Sequence, residues 1–200
     1  MNDCCTVITV SEQQRRVFRV VLWINVGMFL LESVAGILSY STALLADSVD
    51  MLGDAIVYGV SLYAIKRAVI WKARAAILKG AIMAAFGAGV LVQVILKIYQ
   101  RLVPSAEVMG MVGVAALAAN VLCLLLLWRH RGDDINMRSA WVCSRNDVIG
   151  NVGVLVAAAG VSLSGSAWPD IVVGLLVAVV FCRSAIQVLR DASREMKFSN

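Results

Sequence analysis

The 200-residue sequence is poor in the residues that make loops and linkers. It has two prolines, Pro104 and Pro169, and both sit near the ends of apolar runs. No stretch is rich in Pro, Ser or Gln, which excludes a long linker or disordered tail. There is one histidine, His130, in a charged segment, so a His-rich metal-binding loop is excluded and His130 itself reads as a solvated loop residue. Charged residues are 16% of the chain, against about 25% in an ordinary soluble domain. Five cysteines, Cys4, Cys5, Cys123, Cys143 and Cys182, are odd in number and scattered, which excludes a disulfide framework. Cys123 and Cys182 lie in apolar runs and read as small packing residues. The first sixteen residues are mostly polar, and the apolar run after them is long and contains Glu32, so no signal peptide is expected.

What the sequence does have is apolar length. Hydrophobic residues are 60% of the chain and the mean hydropathy is +0.84. Crossing a hydrocarbon core of about 30 Å takes about 20 apolar residues of helix. Six segments are long enough: 17–38, 42–65, 75–98, 108–128, 139–163 and 170–188. The expected fold is all-α, a polytopic membrane protein with a single transmembrane domain over residues 1–200. The tail after the sixth run is too short to form a domain, so function must reside in the bundle.

Lys and Arg fix the expected orientation. Arg15, Arg16 and Arg19, then Lys66, Arg67, Lys72, Arg74 and Lys79, then Arg129, Arg131 and Arg138, then Arg190, Arg194 and Lys197 all fall on one side. The other side has Lys97 and Arg101. Positive charge favours the cytoplasm, which places both termini there. Topology therefore accounts for the net charge of +5 without nucleic acid. Trp23, Trp71, Trp128, Trp141 and Trp168 lie near span ends, as interfacial anchors do. Gly80, Ala84 and Ala88 in the third span put small residues on one face, suited to internal packing or to a homodimer.

The informative residues are acids inside the spans. The second span carries Asp47, Asp50 and Asp54, and the fifth carries Asp147 with Cys143 four residues earlier. Each buried Asp costs about 2.5–3.5 kcal/mol on insertion scales, which packing alone does not offset. Residues three or four apart share a helix face, so each set forms a stripe. The two spans run antiparallel. Asp50 lies about 12 Å from the outer end of its span and Asp147 about 12 Å from the inner end of its own, so the pairs can meet near mid-depth. Three carboxylates and a thiolate form a tetrahedral site for a divalent metal. The thiolate favours Zn²⁺ or Cd²⁺ over Mg²⁺ or Ca²⁺.

Asp47 has a second reading, as a cap of the second helix near the outer surface, and Arg145 is available to pair with an acid. Asn25 and Glu32 share one face of the first span. Asn120 and Asn151 also lie within spans, as interhelical hydrogen-bonding groups. Glu32 reads as an auxiliary acid on a path to the site. The adjacent thiols Cys4 and Cys5 either capture a soft metal or do nothing.

At these residues the sequence resembles the cation diffusion facilitator family. The stretch SYSTALLADSVDMLGDAIVYGVSLYA looks like that family's second span. NDVIGNVGVLVAAAGV followed by WPDIVVGLLVAVVF looks like its fifth and sixth. The resemblance implies a transport site at Asp50, Asp54, Cys143 and Asp147, with Asp47, Glu32, Cys4 and Cys5 as secondary candidates. It implies export of Zn²⁺ or Cd²⁺, with Co²⁺ a further candidate, from the cytosol across a bacterial-type inner membrane. Protons are exchanged, the bilayer is the other partner, and a homodimer is common. Two departures stand out. Most zinc-carrying members have His where this chain has Cys143, and the usual cytoplasmic C-terminal domain is missing, which makes this a short member.

The expectation is a secondary transporter, not an enzyme, with no cofactor and the metal as substrate. Two rivals remain. One is a membrane metal sensor or assembly protein that keeps the bundle. The other is an intramembrane aspartyl protease, whose Gly-x-Gly-Asp pattern is replaced here by Met51-Leu52-Gly53-Asp54.

Overall fold

An apolar run away from water must pair its own backbone N–H and C=O groups, and a helix does this within one segment. The computed structural model describes residues 12–63, 69–100, 102–133, 135–180, 183 and 186, and every regular element among them is helical. These are α1 (Glu12–Leu38), α2 (Thr42–Tyr63), α3 (Val69–Gln100), α4 (Ala106–Trp128) and α5 (Ile135–Ser164). A further apolar helix, α6, covers Trp168–Val180. α1, α3 and α5 begin four to six residues before the apolar runs read from the sequence at 17, 75 and 139.

Among the described residues, three helices are long and apolar enough to cross a membrane: α1, α4 and the Ala140–Ser164 part of α5. α3 and α6 contribute shorter apolar stretches, Ala84–Gln100 and Trp168–Val180. α2 has the length, but its middle carries Asp47, Asp50 and Asp54.

The polarity of the bundle is inverted relative to a soluble protein. Leu30, Val34 and Ile37 of α1, Leu122 and Leu125 of α4, Val156 of α5 and Leu176 of α6 are exposed. Asn25, Glu32, Asp47, Asp54, Asn120, Asp147 and Asn151 are buried. Polar groups that face the bundle interior beneath an apolar exterior are the arrangement a bilayer demands.

α1 packs mainly on α2 and α4 mainly on α5; α1 also touches α4, and α2 touches α5 and α3. Helices α1, α2, α5 and α4 thus close a ring. Two apolar layers cross it. Near the α4–α5 loop, Phe18, Val21, Tyr58, Cys123, Leu127 and Met137 form one layer. Near the α1–α2 turn, Ala35, Leu44, Met109, Val154, Ala157 and Val161 form the other. In sequence, Glu32 on α1, Asp47, Asp50 and Asp54 on α2, and Asp147 and Asn151 on α5 all lie between the residues of the two layers.

The α1–α2 turn is three residues long. Tyr40 adopts the left-handed conformation (φ 56°). Ser41 N–H donates to the Gly36 carbonyl (2.9 Å) and Tyr40 N–H to that of Ile37 (3.3 Å), which closes α1 in a Schellman motif. Gly36 is required beside this turn, because a Cβ there would sit 2.8 Å from Leu45 Cγ.

The start of α2 is held from α6. One Asp170 carboxylate oxygen accepts from Ser41 Oγ (2.6 Å) and Ala43 N–H (3.1 Å). The other accepts from Thr42 N–H (2.8 Å), Thr42 Oγ1 and Lys97 Nζ (2.5 Å). Lys97 also donates to the Tyr40 carbonyl (2.7 Å), and Ser41 Oγ accepts from Leu44 N–H (3.1 Å). The first N–H groups of α2, which have no partner within the helix, are all taken. The carboxylate also faces the positive end of the helix dipole. This needs α6 very close: a Cβ on Gly174 would lie 2.8 Å from the Thr42 carbonyl carbon.

Candidate cation site

The site stripe on α2 is Asp47, Asp50, Asp54 and Tyr58, at spacings of three, four and four, so all four lie on one face. Asp47 and Asp54 are buried and Asp50 is half-buried. α5 presents Cys143, half-buried, then Asp147 and Asn151, both buried, at spacings of four. The two stripes face each other. The Asp147 side chain hydrogen-bonds that of Asp50 across the α2–α5 contact, and Asp54 and Asp47 act on Asp147 electrostatically. Tyr58 Oη donates to Asp54 Oδ2 (2.9 Å). Asp54, Asp147 and Cys143 are all electrostatic neighbours of the Tyr58 hydroxyl, which hydrogen-bonds Asp54 among them. Its ring stacks on Phe18 with centroids 5.6 Å apart, which ties the donors to the apolar layer.

The side chains are joined in pairs rather than as a set. Among the described residues, no three His, Cys, Asp or Glu side chains converge as the ligands of one metal do. Asp50 is engaged with Asp147, a contact that takes a proton on one of the two carboxyls, and Asp54 with Tyr58.

The secondary candidates are placed as follows. Glu32 is buried on α1, with Asp47 and Asp50 as its electrostatic neighbours. Asp47 does not cap α2; that role belongs to Ser41 and Asp170, and Asp47 is 1% exposed in the interior. Arg145 is exposed, its guanidinium 5.6 Å from the Trp141 ring centre, so it turns away from the acids. His130 pairs with Asp133 (2.8 Å) in the α4–α5 loop. Cys4, Cys5 and Cys182 lie outside the described residues.

A family model described as the cation efflux transmembrane domain matches residues 18–196. The chain belongs to the cation efflux family, the cation diffusion facilitators. Within that family it is 32% identical over 180 residues to zinc transporter ZitB of Yersinia pestis, a match that covers 82% of this chain and 57% of that protein. It is 28% identical over 185 residues to metal cation efflux system protein CzcD of Cupriavidus metallidurans, covering 82% and 58%. It is 27% identical over 183 residues to the cadmium, cobalt and zinc/H(+)-K(+) antiporter of Bacillus subtilis, covering 83% and 58%. The chain spans a little under three fifths of the length of these relatives.

Neither Tyr58 nor Asp170 stands out in the sequence, and Lys97 enters there only as a topology charge. Tyr58 was within reach, since it continues the Asp47–Asp50–Asp54 stripe by one turn. Its hydroxyl fixes the Asp54 carboxylate through a hydrogen bond to a charged group, worth about 1.5–3 kcal/mol. Tyr58→Phe keeps the ring stack and removes only that bond. Its loss is expected to lower the unfolding midpoint in detergent by several degrees, at about 2–4 °C per kcal/mol for a chain of this size.

Proposed function

We propose that this chain exports Zn²⁺ and Cd²⁺ from the cytosol in exchange for protons. It does so by alternating access across a bacterial-type inner membrane, through six spans with both termini cytoplasmic. The observation that carries the proposal is the Asp50–Asp147 hydrogen bond between α2 and α5, with Asp54 held by Tyr58 on the same face of α2. Acids from two helices meet in the bundle interior, where a dication or protons are what can neutralise them. The relatives' names point the same way: one is a zinc transporter and another an antiporter of cadmium, cobalt and zinc.

In this mechanism M²⁺ enters from the cytosolic side and is held by Asp50, Asp54, Cys143 and Asp147. Small side-chain rotations release Asp50 from Asp147 and bring the carboxylates around the ion. The ligands must be deprotonated to hold metal, so metal entry expels protons and protons from the far side expel metal. That exclusion couples the two fluxes. The Phe18–Tyr58 layer and the Leu44–Met109–Val154 layer serve as the inner and outer barriers, and rocking of the helices opens one at a time. Cys143 biases the site toward thiophilic ions.

The test is uptake into proteoliposomes loaded with a metal-sensitive dye. The parent chain is expected to carry Zn²⁺ and Cd²⁺ into vesicles with an acidic lumen, opposite to the outward flow of protons, and Asp54→Ala to carry neither. Equal flux in parent and variant contradicts the site assignment. Metal binding without any flux in the parent selects a sensor or assembly role instead.

A further inference from the structure

We propose that Glu32, Asp47 and the amide oxygen of Asn151 form a second binding station for a divalent cation, one helical turn from the Asp50–Asp147 pair toward the α1–α2 turn. The inference rests on the transport reading above and adds a step to it.

Glu32 is 0% exposed and neither of its carboxylate oxygens has a hydrogen-bond partner. Asp47 Oδ2 is likewise buried without a partner. A polar group buried unpaired costs about 1–3 kcal/mol, and more if charged. Structural carboxylates in this same bundle look different: Asp170 is bonded to a lysine, two hydroxyls and two backbone N–H groups. The buried cation Lys97 is committed to Asp170 and the Tyr40 carbonyl, so it does not serve Glu32.

Asn151 supplies the third donor. Its Nδ2 donates to the Asp147 carbonyl one turn back (2.8 Å), which leaves Oδ1 buried and unpartnered. Asp47 reaches the same level of α5, because Asp47 Oδ1 lies 3.6 Å from where a Gly150 Cβ would stand. Glu32 on α1 has Asp47 as its foremost charged neighbour. Three helices thus contribute oxygen atoms that lack partners, and a cation is the ligand such atoms accept.

The donor set contains no sulfur. It is harder than the set that includes Cys143 and discriminates less between Zn²⁺ and Cd²⁺. Two carboxylates with a neutral oxygen hold a dication that keeps part of its water, and hold it more weakly than the site below. A weak station next to a strong one gives the ion a place to go when the strong site releases it.

The experiment is a count of Zn²⁺ bound at equilibrium by the purified full chain in detergent. Glu32→Gln and Asp47→Asn are each expected to bind one equivalent fewer than the parent, as is Asp147→Asn, and Glu32→Gln with Asp147→Asn two fewer. Metal-free Glu32→Gln is expected to melt close to the parent, since one buried neutral polar group replaces another of the same shape, and to lose part of the Zn²⁺-induced rise in melting temperature. Glu32→Gln and Asp47→Asn keeping the parent's full count overturns the station and leaves the transport site untouched. Failure of both variants to fold also overturns it, because it marks these acids as structural. A full count in Asp147→Asn, with one equivalent lost in Glu32→Gln, sinks the transport-site assignment and leaves the station standing.

Discussion

Asp170→Ala is expected to destabilise the folded chain by about 3–5 kcal/mol, the range for removing one partner of a buried ion pair. The loss has two parts. Lys97 is 2% exposed, and without Asp170 its ammonium keeps only the Tyr40 carbonyl in an apolar surrounding. The N–H groups of Thr42 and Ala43 lose their acceptor, so two donors in the first turn of α2 are left unpaired. Adding Lys97→Met to Asp170→Ala is expected to recover part of the loss, because the stranded charge is then gone. The recovery is incomplete, since the orphaned N–H groups remain. Unfolding midpoints in mixed micelles for both single variants and the pair measure this as a double-mutant cycle. A single-variant cost below about 1 kcal/mol, within the range of an exposed pair, contradicts the account. The network also bears on transport, since it fixes the start of α2 and so the level at which Asp47, Asp50 and Asp54 meet α5.

Asp147→Ala is expected to lower Zn²⁺ and Cd²⁺ flux by at least about 100-fold, the upper end of what loss of an outer-sphere partner costs. Asp147 bonds Asp50 directly and has Asp54 within electrostatic range, so its removal takes a ligand and also leaves Asp50 without its cross-helix partner. Folding is expected to survive, because one fewer carboxyl group has to be buried in the apolar bundle. Cys143→His separates selectivity from binding: an imidazole suits zinc and removes the thiolate that favours cadmium. The ratio of Cd²⁺ to Zn²⁺ flux is expected to fall in that variant while Zn²⁺ flux persists. An unchanged ratio contradicts a ligand role for Cys143.

The helical architecture and the acid stripes were legible because both are local patterns. An apolar run of sufficient length has few alternatives to a helix, and spacings of three and four place Asp47, Asp50 and Asp54 on one face whatever surrounds them. The pairing of these groups was not legible, because it depends on where helices touch. Asp170 and Lys97 lie 73 positions apart, each at a span end where a charge is unremarkable. Their contact exists because Gly174 lets α6 approach the Thr42 backbone, a matter of inter-helix packing that no periodicity encodes. The same gap left Asp47 with two readings. Only the presence of Asp170 at the end of α2 shows that the cap is already supplied and that Asp47 belongs to the interior. Tyr58 was missed because an aromatic in an apolar helix reads as packing. Its hydroxyl gains meaning only beside Asp54 and the α5 donors.

The convergence of α2 and α5 donors on one ion is tested most directly by ultraviolet absorption during Cd²⁺ titration of a chain that keeps Cys143 and has its other four cysteines replaced by Ala. A cadmium–thiolate band is expected to saturate at one equivalent, to vanish in Cys143→Ser, and to form only at much higher Cd²⁺ in Asp54→Ala, whose substituted residue lies on the other helix. A band that titrates identically with and without the Asp54 carboxylate means that the two helices do not share an ion, and contradicts the account.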